Sequence, residues 1–282
     1  CPAAGGSRIR VAARTDRGCE GMTHHVVMYS GGKASWLAAH RVKERHGDTS
    51  PITLLFTDTK TEDADLYRFL EEGAVALDLP LVRLADGRDI WDVFKDSRFL
   101  GNNRVPVCSR ILKQEISMRW VKERCDPGHT VLHFGIDWTE AHRADRIPKH
   151  WEPFAVDFPL LWEPMSNERE ADDLLAELGV EEPRLYKLGA PHNNCGGLCV
   201  RAGHAHFKWA LRAIPDTYAK WEAKEGEMRE FLDADVAIMR DRSGGESKPL
   251  TMKDFRLKVE SEDTGQLDLF EWGGCGCMTD DD

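Results

Sequence analysis

From residue 22 onward the chain alternates between two kinds of hydrophobic pattern. Short, nearly continuous apolar runs stand at residues 25–29, 52–57, 79–84 and 130–136, each the length of a buried strand and bounded by Gly, Pro or Asp. Between them lie longer stretches whose apolar residues recur three and four apart. Residues 34–46 form one. A second, 63–77, puts Leu66, Phe69, Leu70, Ala74 and Leu77 on one stripe, and a third, 110–124, turns Ile111, Leu112, Ile116, Trp120 and Val121 inward. Apolar strands separated by amphipathic helices call for parallel pairing with both sheet faces covered, so the pattern predicts an α/β fold built on a doubly wound, Rossmann-like parallel sheet. After Pro164 the strand pattern stops. Asn167 with Glu170 three residues on marks a helix start, Gly179 closes that helix, and 203–213 and 216–231 read as two more. The expected division is a flexible extension over 1–21, an α/β domain over 22–165, a helical segment over 166–240 and a polar tail over 241–282 lying across the domain.

The turn after the first strand carries the clearest chemistry. Ser30-Gly31-Gly32-Lys33-Ala34-Ser35 sits where a parallel strand gives way to a helix, the edge at which open α/β sheets bind ligands. Two glycines let backbone N–H groups approach phosphate oxygens, and the helix start adds partial positive charge. Ser30 and Ser35 offer hydroxyl donors and Lys33 a full charge, which makes Lys33 a catalytic as well as a binding candidate. The pattern GxxxxGK[ST] is absent, so this is not a Walker A loop. Asp58, ending the second strand, is placed to hold Mg²⁺ or to bond a nucleotide ribose or base. Lys113 and Arg143 are further phosphate ligands in this reading, Arg143 through a bidentate guanidinium. Trp138 is a weaker stacking candidate.

Charge and composition narrow the partners. A net charge of −11 over 282 residues excludes a surface that is basic throughout, and a nucleic-acid partner would need a local patch. Arg98, Arg104, Arg110, Lys113, Arg119, Lys122 and Arg124 supply one in sequence; a solvated helix face is the plainer reading. No apolar run is long enough to cross a bilayer and no charged-then-apolar leader opens the chain, so a soluble cytoplasmic protein without membrane contact is expected. Eight cysteines are too few for a disulfide scaffold of this length, and their close pairs suggest metal or redox chemistry. Cys195 and Cys199 flank a Gly-Gly-Leu turn that can bend around one metal, and Cys108, just before a helix, is a third ligand candidate. Thiolates select either an iron–sulfur cluster or Zn²⁺, the latter with His192 or His204, and plain reduced thiols are the third option. Cys275 and Cys277 lie in a Gly-flanked segment near the end. Cys1, Cys19 and Cys125 are read as incidental.

Several segments together resemble a known family. Ser30–Ser35 resembles the PP-loop of the ATP-pyrophosphatase superfamily (the HUP type of fold), whose members cleave ATP between its α and β phosphates. Thr57-Asp58-Thr59 matches the end of that family's second strand, with Lys60 where a glycine is usual. Pro106 to Lys113, Gly135 to Arg143, Pro159 to Trp162 and Leu185 to Gly189 follow in the order of its phosphoadenosine-phosphosulfate reductase-like branch, which includes sulfur-inserting enzymes and phage-encoded relatives. The resemblance spans about residues 22–209. It implies ATP and Mg²⁺ as ligands and a [4Fe-4S] cluster held by Cys108, Cys195 and Cys199. The sequence departs from the reductases in having a lone Cys108 and a CxxxC spacing, which implies three cysteine ligands and one open iron site.

The resemblance implies an ATP-dependent sulfurtransferase, drawing on a sulfur donor and acting on a small molecule or a nucleic acid such as tRNA or DNA, with a homodimer among the expected assemblies. The intact SGGxxS loop favours ATP over a sulfonucleotide. The alternative is reduction of a phosphosulfate nucleotide, with Cys275 or Cys277 as a mobile catalytic nucleophile. A non-catalytic nucleotide-binding or assembly protein is the third reading.

Overall fold

The computed structural model describes residues 22–167, 169–242 and 246–261. Five strands form one parallel sheet: β1 (His24–Met28), β2 (Ile52–Asp58), β3 (Leu81–Ala85), β4 (Thr130–Phe134) and β5 (Ala155–Asp157), in the order β3-β2-β1-β4-β5. Around it run α1 (Lys33–His46), α2 (Ala64–Ala76), α3 (Ile90–Asp96), α4 (Val107–Ser109), α5 (Glu115–Arg124) and α6 (Ile147–Trp151). This is the doubly wound Rossmann-like fold that the sequence predicts. Successive strand residues point to opposite faces, and both faces are buried. Val27, Leu54 and Phe56 join Trp36, Leu66 and Phe69 in one core, while Val26, Met28 and Leu55 join Leu132, Phe134 and Trp151 in another. The short elements β5, α3, α4 and α6 escape the pattern reading. Strand β5 is only Ala-Val-Asp and has no apolar run, and α3 follows a capping box at Asp89 and Asp92.

Beyond the sheet, α7 (Glu170–Glu177) packs Ala171 and Leu175 onto the face that also holds α1. Asn167 Oδ1 accepts from the backbone N–H groups of Arg169 and Glu170, which caps that helix start as expected. The helices α8 (Arg184–Lys187), α9 (His204–Ala213) and α10 (Pro215–Leu232) build a third core with α3 and α4, in which Phe94, Leu112, Leu185, Leu198 and Phe207 meet. The tail expected from residue 241 needs correction. A small antiparallel pair, β6 (Met239–Asp241) and β7 (Lys248–Leu250), is followed by α11 (Met252–Ser261). Met252 and Phe255 insert into the third core, and the buried carboxylate of Glu225 accepts the backbone N–H of Ile238 at 2.9 Å and of Met252 at 2.6 Å. Two apolar anchors and one buried carboxylate hold an otherwise polar segment, a pattern too sparse for periodicity to reveal. Among the described residues no helix is long and apolar enough to cross a membrane.

His25 and His133 are buried together near the start of β1, and the partly exposed His46 packs on them. His25 Nδ1 lies 2.8 Å from His133 Nε2, the His25 ring stacks on His46 at 4.1 Å, and Asp157 Oδ2 is 3.9 Å from His133 Nδ1. Burial, reinforced by mutual repulsion, pushes His25 down to about 4 and His133 to about 3; burial and the neighbouring Arg45 lower His46. Between these values and the ordinary histidine value near 6.5, the unfolded chain binds protons that the folded chain refuses, so stability rises with pH there. Chemical denaturation is expected to show a loss on the order of 2 kcal/mol for each of His25 and His133 between about pH 7 and pH 5, smaller in His133→Gln. An unchanged midpoint over that interval would contradict the burial of these rings.

Candidate functional site

The loop Ser30–Ser35 lies at the carboxyl end of β1, the central strand, where the chain order reverses between β2 on one side and β4 on the other. Gly31 has φ +82°, and a Cβ there would stand 2.8 Å from Leu66 Cγ. Gly32 is the N-cap of α1, whose first turn carries no acidic residue. The backbone donors therefore face an edge without competing negative charge in that turn. The two serines shape the loop rather than reach out of it. Ser30 donates through both its N–H (3.1 Å) and its hydroxyl (3.2 Å) to Ser35 Oγ, and Ser35 donates to Gly32 O at 2.9 Å. Gly135, just past β4, closes the other side: a Cβ there would come within 2.8 Å of Ala34 O.

Lys33 departs from the role its charge suggests. Its ammonium is bonded to Asp172 at 2.7 Å and Glu182 at 3.2 Å and lies over the Tyr186 ring, 4.6 Å from the centroid. Its backbone N–H donates to Tyr186 Oη at 3.3 Å. One aromatic residue thus covers the first turn of α1, while two carboxylates draw the lysine away from the loop. Asp58 is at the neighbouring strand end as expected, but its carboxylate already accepts from Tyr67 Oη (2.8 Å), Lys60 N (2.8 Å) and Lys60 Nζ (3.1 Å). Arg143, in the 3₁₀ turn Trp138–Arg143 after β4, pairs with Glu140; its Nε is buried with no hydrogen-bond partner among the described residues. Trp138 is exposed.

The cysteine segment is pressed against this edge. Cys195, Gly196 and Gly197 all have positive φ (53°, 65° and 88°), and a Cβ on Gly196 would meet Thr61 O at 2.7 Å. Such a run bends the backbone tightly enough to lay Cys195 N–H on the carboxylate of Glu62 at 2.5 Å. That carboxylate, with its side chain 1% exposed, also accepts from Thr59 Oγ1 at 3.0 Å and faces Lys113 Nζ at 3.6 Å. Lys113 belongs to a wide π turn, Arg110–Gln114, closed by Glu115 N–H on Arg110 O. Leu112, Lys113 and Gln114 are consecutively buried there, which takes Lys113 out of any surface patch. Arg110 pairs with Glu115 and Arg98 lies over Phe231, so the basic run from 98 to 124 is not one uninterrupted positive face.

Cys195 and Cys199 are buried, and Cys108 packs against the same apolar cluster as Cys199. None of the three forms a disulfide with another cysteine among the described residues. Among the described residues, however, no three His, Cys, Asp or Glu side chains are arranged to hold a metal ion. As they stand, the thiols fit neither a cluster nor Zn²⁺. Cys275 and Cys277 lie outside the described residues. Sequence reasoning missed Glu62, Asn193 and Tyr186 as members of this site. Asn193 stands inside the quoted His-Asn-Asn-Cys run, yet its partner, Gly31 O at 2.9 Å, is 162 residues away. No local signal announces such a contact.

No protein-family model and no curated protein matches this chain. Among solved structures, phosphoadenylyl-sulfate (PAPS) reductase from Candida auris, in a phosphate complex, is similar at 15% identity over 63% of this chain and 82% of that one, with a TM-score of 0.43. The U34-tRNA thiolase NcsA from Methanococcus maripaludis, with its [4Fe-4S] cluster, is similar at 12% identity over 86% of this chain and 74% of that one, with a TM-score of 0.44. Both likenesses are too distant to assign a role to any residue, so the roles rest on the geometry of this chain.

The buried Lys113–Glu62 pair gives a direct test of the site's construction. Lys113→Met leaves Glu62 without its cation and is expected to cost about 3–5 kcal/mol in denaturant unfolding. Stability within about 0.5 kcal/mol of the wild type would contradict the pairing.

Proposed function

We propose that this chain is a PP-loop nucleotide enzyme of the phosphoadenosine-phosphosulfate reductase-like type, an ATP-dependent sulfurtransferase. The observation that supports it most is the position of Ser30–Ser35 at the switch point of a parallel sheet, with a two-cysteine turn bonded directly to the loop through Asn193. The α1 N-terminus and the Gly31–Gly32 peptides receive the departing pyrophosphate. The acceptor's oxygen attacks the α phosphorus, the bond between the α and β phosphates breaks, and pyrophosphate leaves from the loop. A sulfur nucleophile then attacks the acceptor carbon, and AMP departs with the acceptor's oxygen. Donors already fixed in the loop stabilise the charge that develops on pyrophosphate without reorganising at that moment.

In this reading, phosphate binding displaces Tyr186 Oη from Lys33 N–H, and Lys33 acts on phosphate only after release from Asp172 and Glu182. Asp58 would hold the Mg²⁺ that accompanies ATP once the Lys60 ammonium has left its carboxylate, and the ion would then neutralise phosphate charge. Arg143 Nε, buried without a partner among the described residues, is a ready donor to a phosphate oxygen. Cys108, Cys195 and Cys199 would have to converge before holding a [4Fe-4S] cluster or Zn²⁺, so no step is drawn through a metal. Iron, sulfide and zinc analysis of anaerobically purified protein and of Cys195→Ser tests that proposal separately. The acceptor class, tRNA, DNA or small molecule, and the sulfur donor are left to product analysis.

One observation favours a second reading, reduction of a phosphosulfate nucleotide. The serine hydroxyls and Lys33 are engaged internally, which leaves mainly backbone donors for an anion. Release of pyrophosphate from ATP supports the first reading, and release of sulfite from the sulfonucleotide supports the second.

Gly31→Ala forces a left-handed alanine into the loop, a cost of about 1–2 kcal/mol, and is expected to weaken MgATP binding at least about tenfold by calorimetry with the fold retained. Wild-type affinity in that variant would remove the loop from the site. Deleting residues 273–282 is expected to spare MgATP binding and lower turnover, as followed by pyrophosphate release; full turnover would make Cys275 and Cys277 incidental.

A further inference from the structure

The contact between Asn193 and Gly31 does more than join two segments. Asn193 is 1% exposed; its Nδ2 donates to Gly31 O at 2.9 Å, while its Oδ1 is buried with no hydrogen-bond partner among the described residues. A buried amide oxygen left unpaired costs about 1–3 kcal/mol, so stability alone is a poor reason for an asparagine here. The carbonyl of Gly31 and the N–H of Gly32 belong to one rigid peptide plane. A donor fixed on the carbonyl therefore fixes the direction of the N–H on the opposite side. Gly31 is also the loop residue with positive φ, where the plane is least constrained by the side chain. Two residues beyond Asn193, the Cys195 N–H is held by Glu62, and Gly196 abuts Thr61 O so closely that no Cβ fits. Rotation of the Gly31–Gly32 plane would pull Asn193 and load the turn that carries Cys195.

We propose that Asn193 is a positioning residue that aims the Gly32 N–H at a bound phosphate and transmits occupancy of the loop to the Cys195 turn. This rests on the phosphate-loop reading above and adds a mechanical link between nucleotide and thiol. The link lets the cysteine turn respond to ATP, which would order nucleotide binding before sulfur chemistry.

The test is amide hydrogen exchange on the full chain under reducing conditions, with and without saturating MgATP, for the wild type and Asn193→Ala. In the wild type, MgATP is expected to slow exchange across residues 195–198 by about threefold or more. In Asn193→Ala, MgATP affinity falls about tenfold, and at saturation exchange across 195–198 no longer responds. A merely structural asparagine would alter exchange equally with and without nucleotide. Asn193→Leu keeps the approximate side-chain shape but cannot donate to Gly31 O; it is expected to lose the same response and replaces the alanine variant if that fails to fold. Wild-type protein that binds MgATP without any change at 195–198, or a variant that keeps the full response, overturns the coupling. Wild-type protein that binds no MgATP overturns the phosphate-loop reading itself, and the inference with it.

Discussion

The buried carboxylate of Glu62 is the interaction on which the arrangement of the site depends. It accepts hydrogen bonds from Thr59 and from the backbone of Cys195 and faces the ammonium of Lys113. Each partner belongs to a different segment: the loop after β2, the cysteine turn and the π turn before α5. A charge this well shielded persists only with its partners in place, because an unpaired buried carboxylate costs several kcal/mol. The three segments are therefore fixed relative to one another before any ligand arrives. The widened turn at Arg110–Gln114 and the three left-handed residues from Cys195 to Gly197 are local irregularities that let distant parts of the chain meet at one carboxylate.

Above this anchor, the phosphate loop is held in a closed state. Its serine hydroxyls bond within the loop, Tyr186 covers the first N–H of α1, and Asp172 with Glu182 holds Lys33. Asp172, Tyr186 and Glu182 come from α7, α8 and the connection between them, respectively. Opening the loop thus takes displacement of one side chain and exchange of two partly exposed ion pairs, which are small energies beside the buried Glu62 network. A rigid base with a yielding cover is the arrangement that the proposed binding of an anion and its later release would require.

Much of the sheet was legible in the sequence, because strands buried on both faces need unbroken apolar runs such as Val26–Met28 and Leu54–Phe56. The loop was legible for a similar reason: adjacent glycines at a strand end serve backbone chemistry that no other residue pair supplies. Strand β5 was not, since three residues paired at a sheet edge need no apolar run. Helix α11 was missed because its hold on the body comes from Met252, Phe255 and a carboxylate on α10. The site residues divided along the same line. Ser30, Gly31, Gly32, Ser35 and Asp58 sit together at the strand ends, where local pattern placed them. Lys33 and Lys113 were expected as phosphate ligands, and each is paired here with carboxylates distant in sequence that no local pattern announces. Asn193 and Glu62 work through contacts more than a hundred residues away, which no spacing rule encodes.

The most direct measurement is a structure of the protein with Mg²⁺ and the α,β-methylene analogue of ATP, whose bridge between the α and β phosphates cannot be cleaved. The β and γ phosphates are expected against the backbone of Gly31 and Gly32 at the start of α1, with Tyr186 moved off the Lys33 N–H. An analogue bound elsewhere, or bound with Tyr186 still on that N–H and no phosphate at the two glycines, would contradict the assignment of this loop as the phosphate site.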